Sequence, residues 1–128
     1  MLDHIGLTVK NYAKSKAFYV SALGPLGIEL VMEFGMNGGF GEDGKTFFWI
    51  GEDRADFWKE EHRAGAAPVH VAFAAKDRAA VEAFHRAAVG AGGVDNGPPG
   101  VRGQYHPKYY AAFVIDLDGN NIEAVHCD

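Results

Sequence analysis

The chain carries two copies of one sequence unit, and this internal repeat constrains the fold more than any other feature. The segment HIGLTVKN, which begins at His4, aligns without a gap with the segment HVAFAAKD, which begins at His70. The same register pairs Phe18 with Phe84 and also pairs the glycines that follow each helical stretch. Chance readily pairs alanines and glycines, but it seldom places histidine, phenylalanine and these glycines in one register. We therefore expect two structurally similar halves.

Each unit predicts the same order of elements, namely a strand, a helix and three further strands. Asn11 and Asp77 are suitable N-caps, and helix-forming residues with apolar spacing follow each of them. Runs rich in β-branched and aromatic residues, bounded by glycine-containing turns, predict the strands. In the first unit we expect strands at 2–9, 28–34, around the turn at 36–39, and 46–50, and a helix at 13–23. In the second we expect strands at 69–74, near 94, 110–116 and 121–126, and a helix from 78 to about 89.

These elements predict a single α+β domain over residues 1–128, built from two βαβββ modules that form an open, cupped barrel of mixed β-sheet. We place the first module at about 1–52, a polar linker at about 53–68 and the second module at about 69–128. Phe57 and Trp58 in the linker are expected to dock on the core or on a partner chain. The length of 128 residues suits one domain with its own core.

Composition narrows the functional classes. Twelve basic residues against 17 acidic ones give a net charge of −5, which does not favour binding to nucleic acid. No apolar run is long enough to span a bilayer, so we expect no membrane partner. The N-terminal residues show no leader, and the single cysteine, Cys127, suits a reducing compartment. We therefore expect a cytoplasmic protein that binds a small molecule.

Three residues form a candidate metal site. Side chains alternate along a strand, so His4 and His70 each share a strand face with small residues that leave room around the ring. Glu123 sits mid-strand between apolar residues, where a carboxylate is costly unless it is paired or binds a metal. Two histidines and one carboxylate suit Fe, Mn, Co, Ni or Zn with open positions for a substrate. The alternatives are ordinary structural histidines and an edge-strand charge.

The paired units, His4, His70 and the ending DLDGNNIE from Asp116 to Glu123 together resemble the vicinal oxygen chelate superfamily. This superfamily includes glyoxalase I, bleomycin- and fosfomycin-resistance proteins and type I extradiol dioxygenases. The resemblance covers almost the whole chain. It implies two modules around one divalent metal held by His4, His70 and Glu123, and it implies a homodimer.

Departures from individual members bear on the reaction. Glyoxalase I usually has a fourth ligand, a glutamate late in the last strand of the first unit, but residues 46–50 contain no carboxylate and Glu52 lies just beyond. Extradiol dioxygenases tend to carry a histidine and a tyrosine before the ligand glutamate. His106 has a suitable spacing, whereas Phe113 stands where the tyrosine is expected, and Tyr109 and Tyr110 are displaced from it.

The stretch from 97 to 109 contains three prolines and several polar side chains, which predicts a lid or substrate-contacting loop. Arg102 and Lys108 could bind an anionic group, although a solvated turn is the simpler interpretation for Lys108. The predicted catalytic residues are Glu123, His106 and Tyr110. The predicted substrate-binding residues are Trp49, Phe47, Arg102 and Tyr109, although core packing also explains the first two.

Three functions remain open at this point. The first is a metal-dependent enzyme acting on a small oxygenated substrate, of lyase, isomerase or thiol-transferase type or an extradiol-type dioxygenase. The second is a metal-free protein that sequesters a drug or another small molecule, and the joint presence of His4, His70 and Glu123 argues against it. The third is a module that serves mainly as a dimeric partner protein.

Overall fold

The computed structural model of the chain describes residues 1–52 and 57–128. The first half contains β1 (Ile5–Thr8), α1 (Tyr12–Leu23), β2 (Glu29–Phe34), β3 (Asn37–Glu42) and β4 (Lys45–Gly51). The second half contains β5 (His70–Ala74), α2 (Arg78–Gly90), β6 (Val94–Val101), β7 (Tyr109–Ile115) and β8 (Asn121–Cys127). The first four residues of the predicted linker, 53–56, lie outside the described residues. Neither of the helices described here is long and apolar enough to cross a membrane.

The strands form two separate four-stranded sheets with the same topology. Their orders are β1-β4-β3-β2 and β5-β8-β7-β6, and in each sheet the first two strands run parallel while the other pairs are antiparallel. The predicted α+β fold of two βαβββ modules is therefore confirmed. Within one copy of the chain the two sheets do not close into a barrel, because β1 and β5 remain sheet edges and are not paired with each other.

Both helices begin at the predicted caps. The Asn11 side chain accepts a hydrogen bond from the backbone N–H of Lys14 at 3.0 Å, and the Asp77 side chain accepts one from Ala80 at 2.8 Å. Each bond satisfies a backbone donor that has no partner inside the helix. The repeat thus fixes the helix starts as well as the order of the strands.

One hydrophobic core joins the modules through their helical sides. The rings of Phe48 and Phe73, one from each sheet, meet edge to face with centroids 5.2 Å apart. Phe48 also packs on Tyr19 of α1, at 5.0 Å between ring centroids. Because side chains alternate along a strand, His70, which lies three residues before Phe73, is on the outward face of its sheet. Glu123 is on the same face, because its neighbours Ile122 and Ala124 belong to the core. His4 precedes β1 and is exposed.

The acidic turn before β8 fastens the second module to the first. Asp116 is buried and accepts hydrogen bonds from the Tyr19 hydroxyl of α1 and from the Asn120 backbone, the latter at 2.8 Å. Asp118 accepts one from the backbone N–H of Lys10 at 3.0 Å. A buried carboxylate is tolerated where several donors satisfy it. The sequence that suggested the family resemblance therefore has a structural role at the junction of the modules.

Strand β6 is longer than the sequence predicts, and this corrects the expectation of a loop from 97 to 109. Gly97 pairs with Phe113, and Val101 pairs with Tyr110, so the strand runs across both prolines. Proline removes a backbone donor, but β6 is an edge strand with irregular register, where a missing N–H is tolerated. Only residues 102–108 form the connection to β7.

The described part of the linker folds against the edge of the first module. Phe57 and Trp58 line a cavity of about 380 Å³ together with β1 residues from Gly6 to Thr8. Phe57 nevertheless remains largely exposed, and its ring lies 6.0 Å from that of Trp58. The linker aromatics therefore line a cavity that also includes Val69 and Asn120 of the second module, and neither aromatic belongs to the core.

Candidate functional site

Glu123 lies on the outward face of the second sheet and is the most deeply buried carboxylate of the described chain, with 2% of its surface exposed. Its Oε1 atom lies 3.0 Å from Nε2 of His70, and its Oε2 atom accepts a hydrogen bond from the Tyr109 hydroxyl at 2.5 Å. The pairing of β5 with β8 and of β7 with β8 brings the three side chains together. The structure thus joins two of the three predicted metal ligands.

The second ring nitrogen of His70 is held by the backbone. Nδ1 lies 3.0 Å from the carbonyl oxygen of Asn121, which can only accept, so Nδ1 carries the proton. In the neutral ring, Nε2 then directs a lone pair at a carboxylate oxygen of Glu123. Two acceptor atoms that face each other in this way repel unless a proton or a cation lies between them. In metal-binding histidines, one ring nitrogen commonly donates to a backbone carbonyl or a carboxylate while the other binds the metal, and the Nδ1 contact of His70 matches the first part of this arrangement.

Tyr109 supports Glu123 as a hydrogen-bond donor. Burial, and then the hydrogen bond and the charge of Glu123, raise the pKa of Tyr109 to about 12. The phenol therefore keeps its proton at neutral pH and donates it to the carboxylate. This contact orients Glu123 and leaves its other oxygen, Oε1, directed at His70.

His4 lies apart from this pair. It precedes β1 in the first module, is exposed, and its Nδ1 lies 2.8 Å from the Asp3 carboxylate. Across residues 1–52 and 57–128, no group of three or more His, Cys, Asp or Glu side chains is arranged to hold a metal within one copy. Of the three predicted ligands, one copy therefore brings only His70 and Glu123 together.

Strand register identifies the position in the first module that corresponds to Glu123. Glu123 pairs with Ala72 of β5, and the equivalent pair in the first module is Trp49 with Gly6 of β1. The Trp49 indole lies over Gly39, where an added Cβ would come within 2.9 Å of the ring. The ring of Trp49 packs against Phe34, with centroids 5.9 Å apart. Phe47 lies at a bulge of β4 and packs against the core, so the two predicted substrate-binding aromatics of this module do not form one surface.

The remaining predicted residues lie elsewhere. Tyr110 points to the opposite side of its sheet, where its hydroxyl donates to Glu82 of α2 at 3.0 Å. His106 lies in the 102–108 connection, and its Nδ1 accepts from the backbone N–H of Lys108 at 3.1 Å. Glu52 accepts a hydrogen bond from the backbone N–H of Tyr12 at 2.7 Å. The geometry does not place the first two beside Glu123, and Glu52 is engaged at the start of α1.

Two groups at the site were not among the predicted site residues, although Phe113 was noted at the position where extradiol dioxygenases tend to have a tyrosine. The Asn121 carbonyl carries no residue-type signal, because any residue supplies one. Phe113 directly opposes Glu123 on β7 and stacks on His70, with ring centroids 6.2 Å apart and 26° between their planes. The Arg102 guanidinium lies over the same ring, 5.4 Å from its centroid. The alternation of β7 could have placed Phe113 on the face of Glu123 once the register of the two strands was known.

Comparison with known proteins identifies the family. The model of the Glyoxalase/Bleomycin resistance protein/Dioxygenase superfamily matches residues 1–124. The chain belongs to this superfamily. A glyoxalase/bleomycin resistance protein from Albidiferax ferrireducens T118 superposes with a TM-score of 0.78 at 28% identity, covering 100% of this chain and 99% of that one. No match was found among curated proteins.

More distant superfamily structures share the fold. A putative glyoxalase from Bacillus halodurans gives a TM-score of 0.70 at 23% identity, covering 98% of this chain and 95% of that one. A lactoylglutathione lyase from Agrobacterium tumefaciens gives 0.68 at 18% identity, covering 98% and 92%. These two similarities show the same architecture over nearly the full length of this superfamily member.

Proposed function

We propose that the chain is a metal-dependent enzyme that acts on a small oxygenated substrate, by lyase, isomerase or thiol-transferase chemistry. The observation that carries the proposal is the buried Glu123 carboxylate, whose Oε1 lies 3.0 Å from Nε2 of an exposed imidazole that a backbone carbonyl anchors through Nδ1, so that both atoms could bind one cation. Placing a carboxylate in such a position is costly without a partner charge. Superfamily membership and the lyase name of one structural neighbour agree with this proposal.

The donor set fits a divalent transition metal such as Zn, Ni, Mn, Co or Fe. His70 and Glu123 would hold it together with His4 of a second copy, so the proposal includes a homodimer in which the outward face of one first module covers that of a second module. When bound, the ion supplies Lewis-acid polarisation of a substrate oxygen. A shared site of this kind is consistent with two outward faces that one copy leaves uncovered.

The chain's own residues have separate tasks in this scheme. Tyr109 keeps Glu123 oriented, and the Asn121 carbonyl keeps the His70 ring in one tautomer. Phe113 packs against His70, and Trp49 with Phe34 offers an apolar surface that would exclude water from the bound substrate. Glu123 is also the carboxylate of this site that could transfer a proton to or from the substrate.

Elemental analysis of untagged protein tests the proposal. After reconstitution with each candidate ion, we expect about one metal per chain in the parent and almost none in a His70→Ala variant. His62→Ala removes an exposed linker histidine and serves as the matched control, which should keep the metal. Turnover of 1,2-dioxygenated compounds should occur in the loaded protein and stop after chelation.

The identity of the metal separates the alternatives. Retention of iron, with oxygen-dependent turnover of catechols, would favour an extradiol-type dioxygenase. Zinc, nickel, manganese or cobalt would favour the lyase, isomerase or transferase reactions. A parent protein that binds none of these ions would overturn the proposal in favour of a metal-free small-molecule binding protein.

A further inference from the structure

The outward face of the second module carries a positive charge in a fixed position next to the His70–Glu123 pair. Arg102 follows β6, and its side chain turns back over that strand, where Nη2 donates to the carbonyl oxygen of Pro98 at 2.6 Å. The guanidinium carbon lies 5.4 Å from the centroid of Phe113. Phe113 also stacks on His70, so a single aromatic ring links the cation to the candidate metal site.

Two glycines make room for this conformation. A Cβ atom at Gly97 would lie 3.1 Å from Nη2 of Arg102, and one at Gly100 would lie 3.1 Å from Nη1. Both distances are tighter than ordinary carbon contacts, so a larger residue at either position would push the guanidinium away. The backbone of β6 therefore forms a cradle that holds the cation against the sheet.

Within residues 1–52 and 57–128, no acidic side chain neutralises the charge of Arg102, although the chain has a net charge of −5. Arg78 shows the contrasting case, because its guanidinium pairs with Asp128 at 2.6 Å. With one N–H donated to Pro98, Arg102 retains further donors for a ligand.

We propose that Arg102 forms the subsite that binds the carboxylate of the substrate, so that the enzyme acts on small organic acids. This inference deepens the function proposed above and rests on it. A planar guanidinium binds a carboxylate through two parallel hydrogen bonds, which lysine cannot reproduce.

Binding of benzoate and of benzamide to the same protein tests the subsite. The two probes have the same shape and differ in charge, so a carboxylate subsite predicts that benzoate binds at least about tenfold more tightly. Arg102→Gln should bring the two affinities to within about twofold, and Arg102→Lys should give an intermediate preference. Arg86→Gln, which removes an exposed arginine of α2, should leave the parental preference unchanged.

The measurement is made on chelator-treated and on metal-loaded protein, because this separates the two proposals. A benzoate preference that depends on Arg102 in protein that binds no metal would support the subsite and refute the metal-dependent function. Metal binding with no preference, or a preference that survives Arg102→Gln, would refute the subsite alone. Phenylphosphonate, if it binds more tightly than benzoate, would replace carboxylate by phosphonate or phosphate as the recognised group and overturn the assignment to organic acids.

Discussion

The two modules share one topology but carry different chemistry on their outward faces. Where the second module has Glu123 with Phe113 beside it on the neighbouring strand, the first has Trp49 with Gly39. In the second module Phe113 stacks on His70, and the Glu123 carboxylate faces the same histidine. In the first, the glycine lets the indole lie on the sheet. The two modules therefore share one strand and helix arrangement, but the second carries a paired carboxylate and histidine where the first carries an apolar surface.

This difference also accounts for the number of expected ligands. A carboxylate at Trp49 would give the site a fourth protein donor, and the structure offers an aromatic ring instead. His4, His70 and Glu123 would leave more positions of a metal open to substrate than four donors would. The apolar surface of the first module would then form a wall of the substrate pocket.

The largest effect, on metal affinity, is expected when Glu123 of the second module is replaced. Glu123→Gln keeps the shape and an acceptor for Tyr109 but removes the charge, so we expect metal affinity to fall by at least about 100-fold. Trp49→Phe changes the equivalent position of the first module and should keep the affinity within about threefold. Competition with a chromophoric chelator measures both.

Circular dichroism serves as the control that both variants remain folded. If Glu123→Gln retained the parental affinity, or if Trp49→Phe lost as much, the assignment of the donors to the second module would be wrong.

A smaller effect, on the stability of the protein, is expected when Gly39 of the first module is replaced. An added Cβ would lie 2.5 Å from Thr46 and 2.9 Å from the Trp49 ring, so one of these must move. We expect Gly39→Ala to lower the free energy of unfolding by about 1–3 kcal/mol. Gly90→Ala is the matched control, because no atom lies within 4 Å of its added Cβ and alanine favours the helix.

Urea unfolding of both variants measures this difference. A Gly39→Ala protein as stable as the parent would show that the indole does not need the space above the glycine.

The smallest effect, on the pH dependence of stability, is expected at the turns that precede the last strand of each module. Burial raises the pKa of Asp118 above the ordinary value of 3.8, whereas Asp43 in the first module is exposed. Between the unfolded and the raised folded pKa, the folded state binds more protons, so stability contributed by Asp118 falls as pH rises. The Asp118→Asn side chain carries no charge. The free energy of unfolding of this variant, relative to that of the parent, should therefore be higher at about pH 7 than at about pH 3.

Asp43→Asn is the matched control for this pH dependence and should differ from the parent by less than about 0.5 kcal/mol at both pH values. Urea unfolding at the two pH values provides the measurement. A relative stability of Asp118→Asn that stays constant, or that declines toward neutral pH, would contradict the role of burial.

Local signals in the sequence predicted the modules well. The repeat gave the order of strands and helices, and Asn11 and Asp77 marked the helix starts because a capping side chain acts on neighbours within one turn. Periodicity along β5 was sufficient to place His70 on the strand face that carries small residues. These are features that depend on residues close in sequence or on one pair of strands.

The parts that could not be predicted depend on register and packing between distant segments. Tyr109, and not Tyr110, reaches Glu123 because a shift of one residue moves a side chain to the opposite face of the sheet. The prolines of β6 suggested a loop because the sequence does not show that the strand lies at an edge. Alternation along strands is equally compatible with modules that meet through their helices or through their histidine faces. His4 and His70 were therefore expected to meet within one copy.

The claim that two copies share a metal site is tested most directly by combining two variants, each of which lacks a different part of the donor set. His4→Ala lacks the donor of the first module, and the double variant His70→Ala, Glu123→Gln lacks those of the second. A heterodimer assembled from both, purified through two different tags, retains one complete set of donors if the ligands come from different copies. We predict about one metal per heterodimer and almost none in either variant alone. A heterodimer without metal, beside a parent that binds one per chain, would contradict a site shared between copies.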